Sequence, residues 1–211
     1  MLTFDEATHT YRYNGSVIPS ATQVLNRVAV KKTDDARFTS FGQGEFFTGD
    51  DTAARFGRAL HAVAACRLNN QPCEYDKALQ PWVDGLEKFL KEHEFLLWES
   101  KRLYTIDWKT STANQHHWHY QTAAYDQLVI ANHDKNREPI FLVEEPMYHP
   151  LLKYAGTPDW VVGNPSAPIT QRHRWTVRLT EGGYDSQKRR NLADASDFTM
   201  FNSILNTYHA A

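Results

Sequence analysis

Five apolar, aromatic and β-branched runs, at 95–99, 102–109, 140–148, 153–162 and 173–179, are interspersed with segments of helical period. This alternation constrains the fold more than any other feature. A strand-like run needs partners for its backbone, and a helix with one apolar stripe needs a surface to cover. Helices that precede, interrupt and follow about five strands predict an α/β protein, with a mixed central β-sheet flanked by helices. The helical segments are placed by their caps and spacing. Ser20 caps a short helix that begins at Pro19-Ser20 and runs to about Leu25. Asp51-Thr52 caps a helix over roughly 53–68, with Phe56, Leu60, Val63 and Ala64 at helical spacing. A helix over 79–93 tolerates Pro81 in its first turn. Another covers 116–131, and a last one starts at Asp194 or Ser196, with Phe198, Phe201, Ile204, Leu205 and Tyr208 on its apolar face.

The first 50 residues read as an appendage to a single domain spanning 1–211. Short strands occupy 1–13, Asn14-Gly15 is a turn signal, and Val17-Ile18 is strand-like. Residues 31–50 are polar and glycine-bearing and read as a loop. Gly182-Gly183 is a turn. Hydrophobic residues make up 41% of the chain, enough for a substantial core, and no apolar run approaches the ~20 residues of a membrane span. The start, Met1-Leu2-Thr3-Phe4-Asp5-Glu6, has no basic region followed by an apolar one, so no signal peptide is expected. Cys66 and Cys73 match no zinc or iron–sulfur pattern, which makes a reducing cytoplasm the expected location. The formal charge of −2 does not point to a polyanionic partner. It does not exclude one, because a local basic groove around an acidic site suffices.

Four small constellations could carry chemistry. Asp107-x-Lys109 ends the run Leu103-Tyr104-Thr105-Ile106. Period-2 alternation puts its carboxylate and ammonium on one face of the strand. An exposed strand with alternating charges would explain the tripeptide by itself. Asp159, in Tyr154-Ala155-Gly156-Thr157-Pro158-Asp159, abuts the apolar Trp160-Val161-Val162. A carboxylate there is costly unless paired, capped or bound to metal, although an aspartate that stabilises a turn after proline is an equal alternative. Gly57-x-x-x-His61 places a glycine and a histidine on one helix face; a packed or solvated histidine is the plainer account. Gln121-x-x-x-Tyr125 shares a helix face too, as the polar edge of an amphipathic helix would.

Together these elements resemble the PD-(D/E)xK nuclease superfamily, in particular its RecB-like and phage exonuclease branch. The flanks resemble phage members as well: Thr8-His9-Thr10-Tyr11 with Ile18-Pro19-Ser20-Ala21-Thr22 at the start, and Val177-Arg178-Leu179, Gly183-Tyr184 and Asp197-Phe198 at the end. The resemblance covers most of the chain and implies a restriction-endonuclease-like fold. In that family the Gly-x-x-Asp strand precedes the Asp-x-Lys strand, whereas here Asp159 follows Asp107. Moving roughly 141–168 to between Leu97 and Lys101 would restore the usual order, so a segmental permutation, natural or engineered, or an unusual ordering of the chain is expected.

The resemblance implies a metal-dependent deoxyribonuclease, an exonuclease serving phage recombination or DNA-end processing. The alternative is a catalytically inactive DNA-binding or assembly protein of the same fold. A carbohydrate or ester hydrolase with paired carboxylates would explain neither the lysine nor the Gln/Tyr helix. Asp107, Asp159 and His61 would be metal ligands, with the Trp108 carbonyl beside them, and Mg²⁺ or Mn²⁺ suits such a mostly oxygen site. Lys109 would orient the attacking water, and Gln121 and Tyr125 would position it or the substrate. Glu145 is a candidate supporting carboxylate, although a solvent-facing strand residue is the plainer account. Lys188, Arg189, Arg190, Arg172 and Arg174 could hold DNA phosphates, or form a solvated charge cluster. Trp118 could stack on an unpaired base or pack in the helix core. The expected partners are double- or single-stranded DNA, a second copy of the chain and a recombination partner protein.

Overall fold

The structure is a computed structural model that describes residues 1–5, 7–25, 52–94, 96, 101–110, 117–133, 138–190 and 195–210. The expected loop at 31–50, the cap at Asp51 and the helix start at Asp194 lie outside the described residues. So does the expected strand at 95–99, apart from Leu96, which is buried.

The chain opens with a three-stranded antiparallel sheet, β1 (Leu2–Asp5), β2 (Thr10–Tyr13) and β3 (Ser16–Ile18). Asn14 and Gly15 both have positive φ, 50° and 85°, and link Tyr13 to its partner Ser16. That is the two-residue hairpin geometry for which Asn-Gly is suited. Helix α1 (Ala21–Leu25) follows behind a reciprocal cap. Ser20 Oγ accepts the Gln23 N–H, and Gln23 Oε1 accepts the Ser20 N–H, each at 3.0 Å.

Helices α2 (Thr52–Leu68) and α3 (Gln80–Glu92) lead to β4 (Leu103–Lys109), and α4 (His117–His133) follows. Next come β5 (Ile140–Val143), β6 (Met147–His149), β7 (Tyr154–Gly156) and β8 (Trp160–Gly163). The chain continues with β9 (Arg172–Thr180), β10 (Gly183–Arg190) and α5 (Ala195–Ala210). The main sheet has the order β10-β9-β4-β8-β5. β4 runs parallel to β9 and antiparallel to β8, and the remaining pairs are antiparallel. β4 is central and nearly all buried, as its apolar composition requires. The protein is therefore mixed α/β, with a five-stranded mixed sheet flanked by helices.

Alternation along β4 divides the core in two. Tyr104, Ile106 and Trp108 pack with Phe56, Leu60 and Phe89 of α2 and α3. Leu103 and Val161 pack with Leu128 and Val129 of α4 and with α1 and α5. Gly85 lets α3 close onto the sheet: a Cβ there would lie 2.0 Å from the Gly183 carbonyl oxygen.

Two findings differ from the sequence expectation. The runs 140–148 and 153–162 are each broken, into β5/β6 and β7/β8. The breaks coincide with Glu144 at φ 51° and with Pro146 and Pro158, which cannot donate to a ladder. The outer halves, β6 and β7, pair with each other and lie against α4 and the N-terminal sheet, where Tyr13 stacks on Tyr148 at 4.1 Å. The second difference is β10, a strand with no apolar run. It is an edge strand, where polar and charged side chains are tolerated and blunt further pairing.

Candidate active site

The breaks in the hairpin set up a row of carboxylates. The last registered pair between β4 and β8 is Ile106↔Trp160, and one step further Asp107 stands opposite Asp159. On the other side Val143 pairs with Trp160, and the Glu144 N–H donates to the Asp159 carbonyl at 3.2 Å. Asp107 near the end of β4, Asp159 just before β8 and Glu144 just after β5 therefore lie side by side at the ends of three neighbouring strands. Residues directly opposite one another point to one face, with Cβ atoms roughly 4.5–5.5 Å apart. His61 reaches the row from α2. Its Nδ1 is 3.4 Å from Asp159 Oδ1 and 3.9 Å from Glu144 Oε1.

Each group is held from behind. Asp159 Oδ2 accepts the Trp108 backbone N–H at 2.6 Å. Lys109 Nζ lies 2.6 Å from Asp107 Oδ2 and donates to Gln121 Oε1 at 3.0 Å. Gln121 Nε2 donates to the Tyr125 hydroxyl at 2.7 Å and approaches Thr22 Oγ1 of α1 at 3.4 Å. Gly156 admits this arrangement, since a Cβ there would lie 2.8 Å from the Tyr125 ring. The Tyr11 hydroxyl shares a 2.6 Å hydrogen bond with Thr157 Oγ1, two residues before Asp159. The site opens into a cleft of about 1460 Å³ that the N-terminal strands help to line.

The electrostatics follow from crowding like charges in a buried place. Burial pushes the Asp107 carboxyl up to about 6; Lys109 opposes this and the Asp159 carboxylate reinforces it. Burial would raise Asp159 too, but His61, Lys109 and the Trp108 N–H outweigh it and hold the carboxyl below its usual range. Burial works against a charged His61, yet Asp159, with Glu144 behind it, raises the imidazole to about 9. Burial drives the Tyr125 hydroxyl well above its ordinary value, helped by Asp107 and Asp159.

His61, Glu144 and Asp159 offer ligand atoms all within 4.8 Å of one another. With ligand bonds of about 2.1 Å, donors on one ion sit roughly 3–4 Å apart, so small side-chain movements would complete the set. One imidazole and two carboxylates fit a divalent cation that favours oxygen.

The structure places Asp107, Lys109, Gln121, Tyr125, His61 and Asp159 around one cleft. Other expectations need correction. Glu144, not Glu145, joins the row, because register places Glu144 opposite Asp159 and leaves Glu145 exposed one residue beyond it. The nearest ion partner of Asp107 is Lys109, and Asp107 is outside the tight ligand group. Gly57 lines the cleft with His61, but a Cβ there would meet Thr110 Oγ1 at an ordinary 3.5 Å, so the packing does not require glycine.

Arg174 cannot reach a phosphate. It is 1% exposed, pairs with Asp197 at 3.0 Å and donates to the His119 carbonyl at 2.8 Å. Arg172 is turned onto the Ala167 and Pro165 carbonyls. Lys188 lies over the Trp175 ring at 4.1 Å, on the α3 side of the sheet and away from the carboxylates. Arg189 is half-buried and paired in the ladder with Arg174; neither it nor Lys188 lines the cleft. Arg190 ends β10, across the ladder from His173. Trp118 is buried, with Lys109 Nζ 6.0 Å from its ring, so it packs and does not present a face for stacking. The cleft instead has Arg58, one turn before His61 on α2, which sequence reading overlooked. Its i, i+3 spacing from His61 was the available signal.

Compared with known proteins, the chain matches no family model, no curated protein and no solved structure. Among the described residues no helix is long and apolar enough to cross a membrane.

Proposed function

We propose that this protein is a metal-dependent deoxyribonuclease with a restriction-endonuclease-like sheet whose motif strands occur in permuted order. The observation that carries this reading is the row of Asp107, Asp159 and Glu144, with His61 at one end and Lys109 at the other. The order of strands supports the permutation: β8 follows β4 in the chain but pairs beside it, where a strand preceding β4 could equally sit. Strands can change their order in the sequence if they keep their places in the sheet.

His61, Glu144 and Asp159 would hold Mg²⁺ or Mn²⁺, with Asp107 beside them. The bound ion would neutralise charge developing on the scissile phosphate and make water a nucleophile near neutral pH. Lys109 is held between the Asp107 carboxylate, as an ion pair, and the Gln121 amide oxygen, as a hydrogen-bond donor, and would orient water or a phosphate oxygen. Tyr125 fixes Gln121, and so fixes the lysine at one remove. The Trp108 N–H keeps the Asp159 carboxylate aimed at the cleft.

The test is incubation of linear and covalently closed circular DNA with the protein in Mg²⁺, Mn²⁺ or EDTA, beside Lys109→Ala. Loss of linear DNA alone, dependent on metal and abolished by Lys109→Ala, is the expected result and defines an exonuclease. Cutting of the circle makes it an endonuclease. DNA binding without cleavage replaces this reading with that of an inactive DNA-binding protein.

A further inference from the structure

The N-terminal sheet places an aromatic stack over the cleft that the carboxylate chemistry does not use. Tyr11 stands at its base, buried and bonded through its hydroxyl to Thr157 beside the Asp159 turn. Phe4 stacks on Tyr11, with ring centroids 4.5 Å apart and planes 27° from parallel. His9 stands edgewise to both, 5.2 Å from Phe4 and 5.8 Å from Tyr11. Those distances locate His9 beside the stack: a ring capping the far side of Phe4 would lie roughly twice as far from Tyr11. Among the described residues, no second ring stacks on Phe4. The ring is half-buried and, with His9 and Tyr11, lines the same cleft as Asp107 and Asp159.

We infer that Phe4 is a base-stacking subsite, and that the cleft takes an unpaired strand of nucleic acid whose base stacks there while its backbone passes the carboxylate row. This rests on the nuclease reading of that row and deepens it by naming the substrate class. A flat ring joined through Tyr11 and Thr157 to the Asp159 turn would set the distance from stacked base to scissile phosphate. Arg58 lines the same cleft and supplies a cation for a backbone held there. Stacking needs an open base face, and inside a duplex neighbouring pairs cover both faces. The subsite therefore selects a single strand. His9, flanking the stack and facing Arg58, is held below its ordinary pKa by burial and by that guanidinium. It is thus a neutral flank at physiological pH, and Arg58 carries the positive charge.

The experiment measures binding of the full chain in EDTA, so that no strand is cut. The probes are a single-stranded oligonucleotide carrying 2-aminopurine, the same strand with abasic sites, and a blunt duplex. Wild type is expected to quench the 2-aminopurine and to bind the normal strand at least tenfold tighter than the abasic strand or the duplex. Phe4→Leu keeps apolar bulk over Tyr11 but loses the flat ring, and should bind about tenfold more weakly without quenching. Phe4→Trp should restore both signals, which a merely structural role would not require. Equal binding by wild type and Phe4→Leu, or by normal and abasic strands, overturns the inference, as does tighter binding of the duplex. Cleavage in Mn²⁺ separates the two readings. Cutting that does not depend on the residue at position 4 leaves the nuclease and removes the subsite. Quenching that depends on Phe4, with no cutting in any metal, leaves the subsite and removes the nuclease.

Discussion

Metal binding should expel a proton from His61, and the size of that effect follows from the site. Without metal, Asp159 and Glu144 raise the imidazole to about 9, against the cost of its burial. At pH 7 about 99% of His61 is then protonated, whereas a metal ligand must be neutral imidazole. Each ion bound at pH 7 should therefore release about one proton. The sign is fixed: the proton competes with the ion, so apparent affinity rises with pH and levels off above the His61 pKa. Well below that pKa the slope is about tenfold per pH unit, or about 1.4 kcal/mol, and with the levelling near pH 9 the gain is about fiftyfold between pH 7 and pH 9. Calorimetric titration with Mn²⁺ in two buffers of different ionisation enthalpy counts the protons directly, and repeating it across pH gives the slope. His61→Gln should bind more weakly and lose the pH dependence. No proton release at pH 7, or an affinity flat from pH 6.5 to 8.5, would refute the argument that a charged His61 guards the ligand group.

Three further outcomes are expected. Glu144→Gln should weaken Mn²⁺ binding by more than the roughly 10- to 100-fold typical of groups that only orient ligands, while Glu145→Gln leaves it unchanged by calorimetry; the reverse result would return the role to Glu145. Asp197→Ala should strand the buried Arg174 guanidinium and cost about 3–5 kcal/mol, lowering the melting temperature by roughly 10 °C. Arg174→Met combined with Asp197→Leu should recover most of that loss in the same melt. Gly85→Ala should destabilise by about 1–3 kcal/mol in urea titration, although alanine is the better helix former by about 1 kcal/mol, because its methyl would meet the Gly183 carbonyl.

Much of the site can be read from local rules of strand and helix geometry. Asp107 and Lys109 share a face because strands alternate, and Gln121 and Tyr125 share one because helices repeat. The observed Lys109–Gln121–Tyr125 chain joins those two local facts. The basic residues misled, since an arginine in a strand reads the same whether it faces solvent or, like Arg174, lies buried against Asp197. Trp118 carried two readings, and its burial selects packing in the helix core over base stacking. Glu144 and Glu145 are adjacent carboxylates, and nothing within their own segment distinguishes them.

Features whose causes lie within a few residues follow from the amino-acid sequence alone. They are the Asn14-Gly15 turn, the reciprocal Ser20–Gln23 cap, the apolar central strand β4 and the amphipathic helices α2 and α3. Long-range packing set the rest. It made a polar segment the edge strand β10, and stood Asp107, Asp159 and Glu144 abreast. The cause is register. The pairing of strands far apart in the chain is set by how both faces of the sheet are buried together, and a slip of one residue would turn Glu144 from the cleft and put Glu145 in its place.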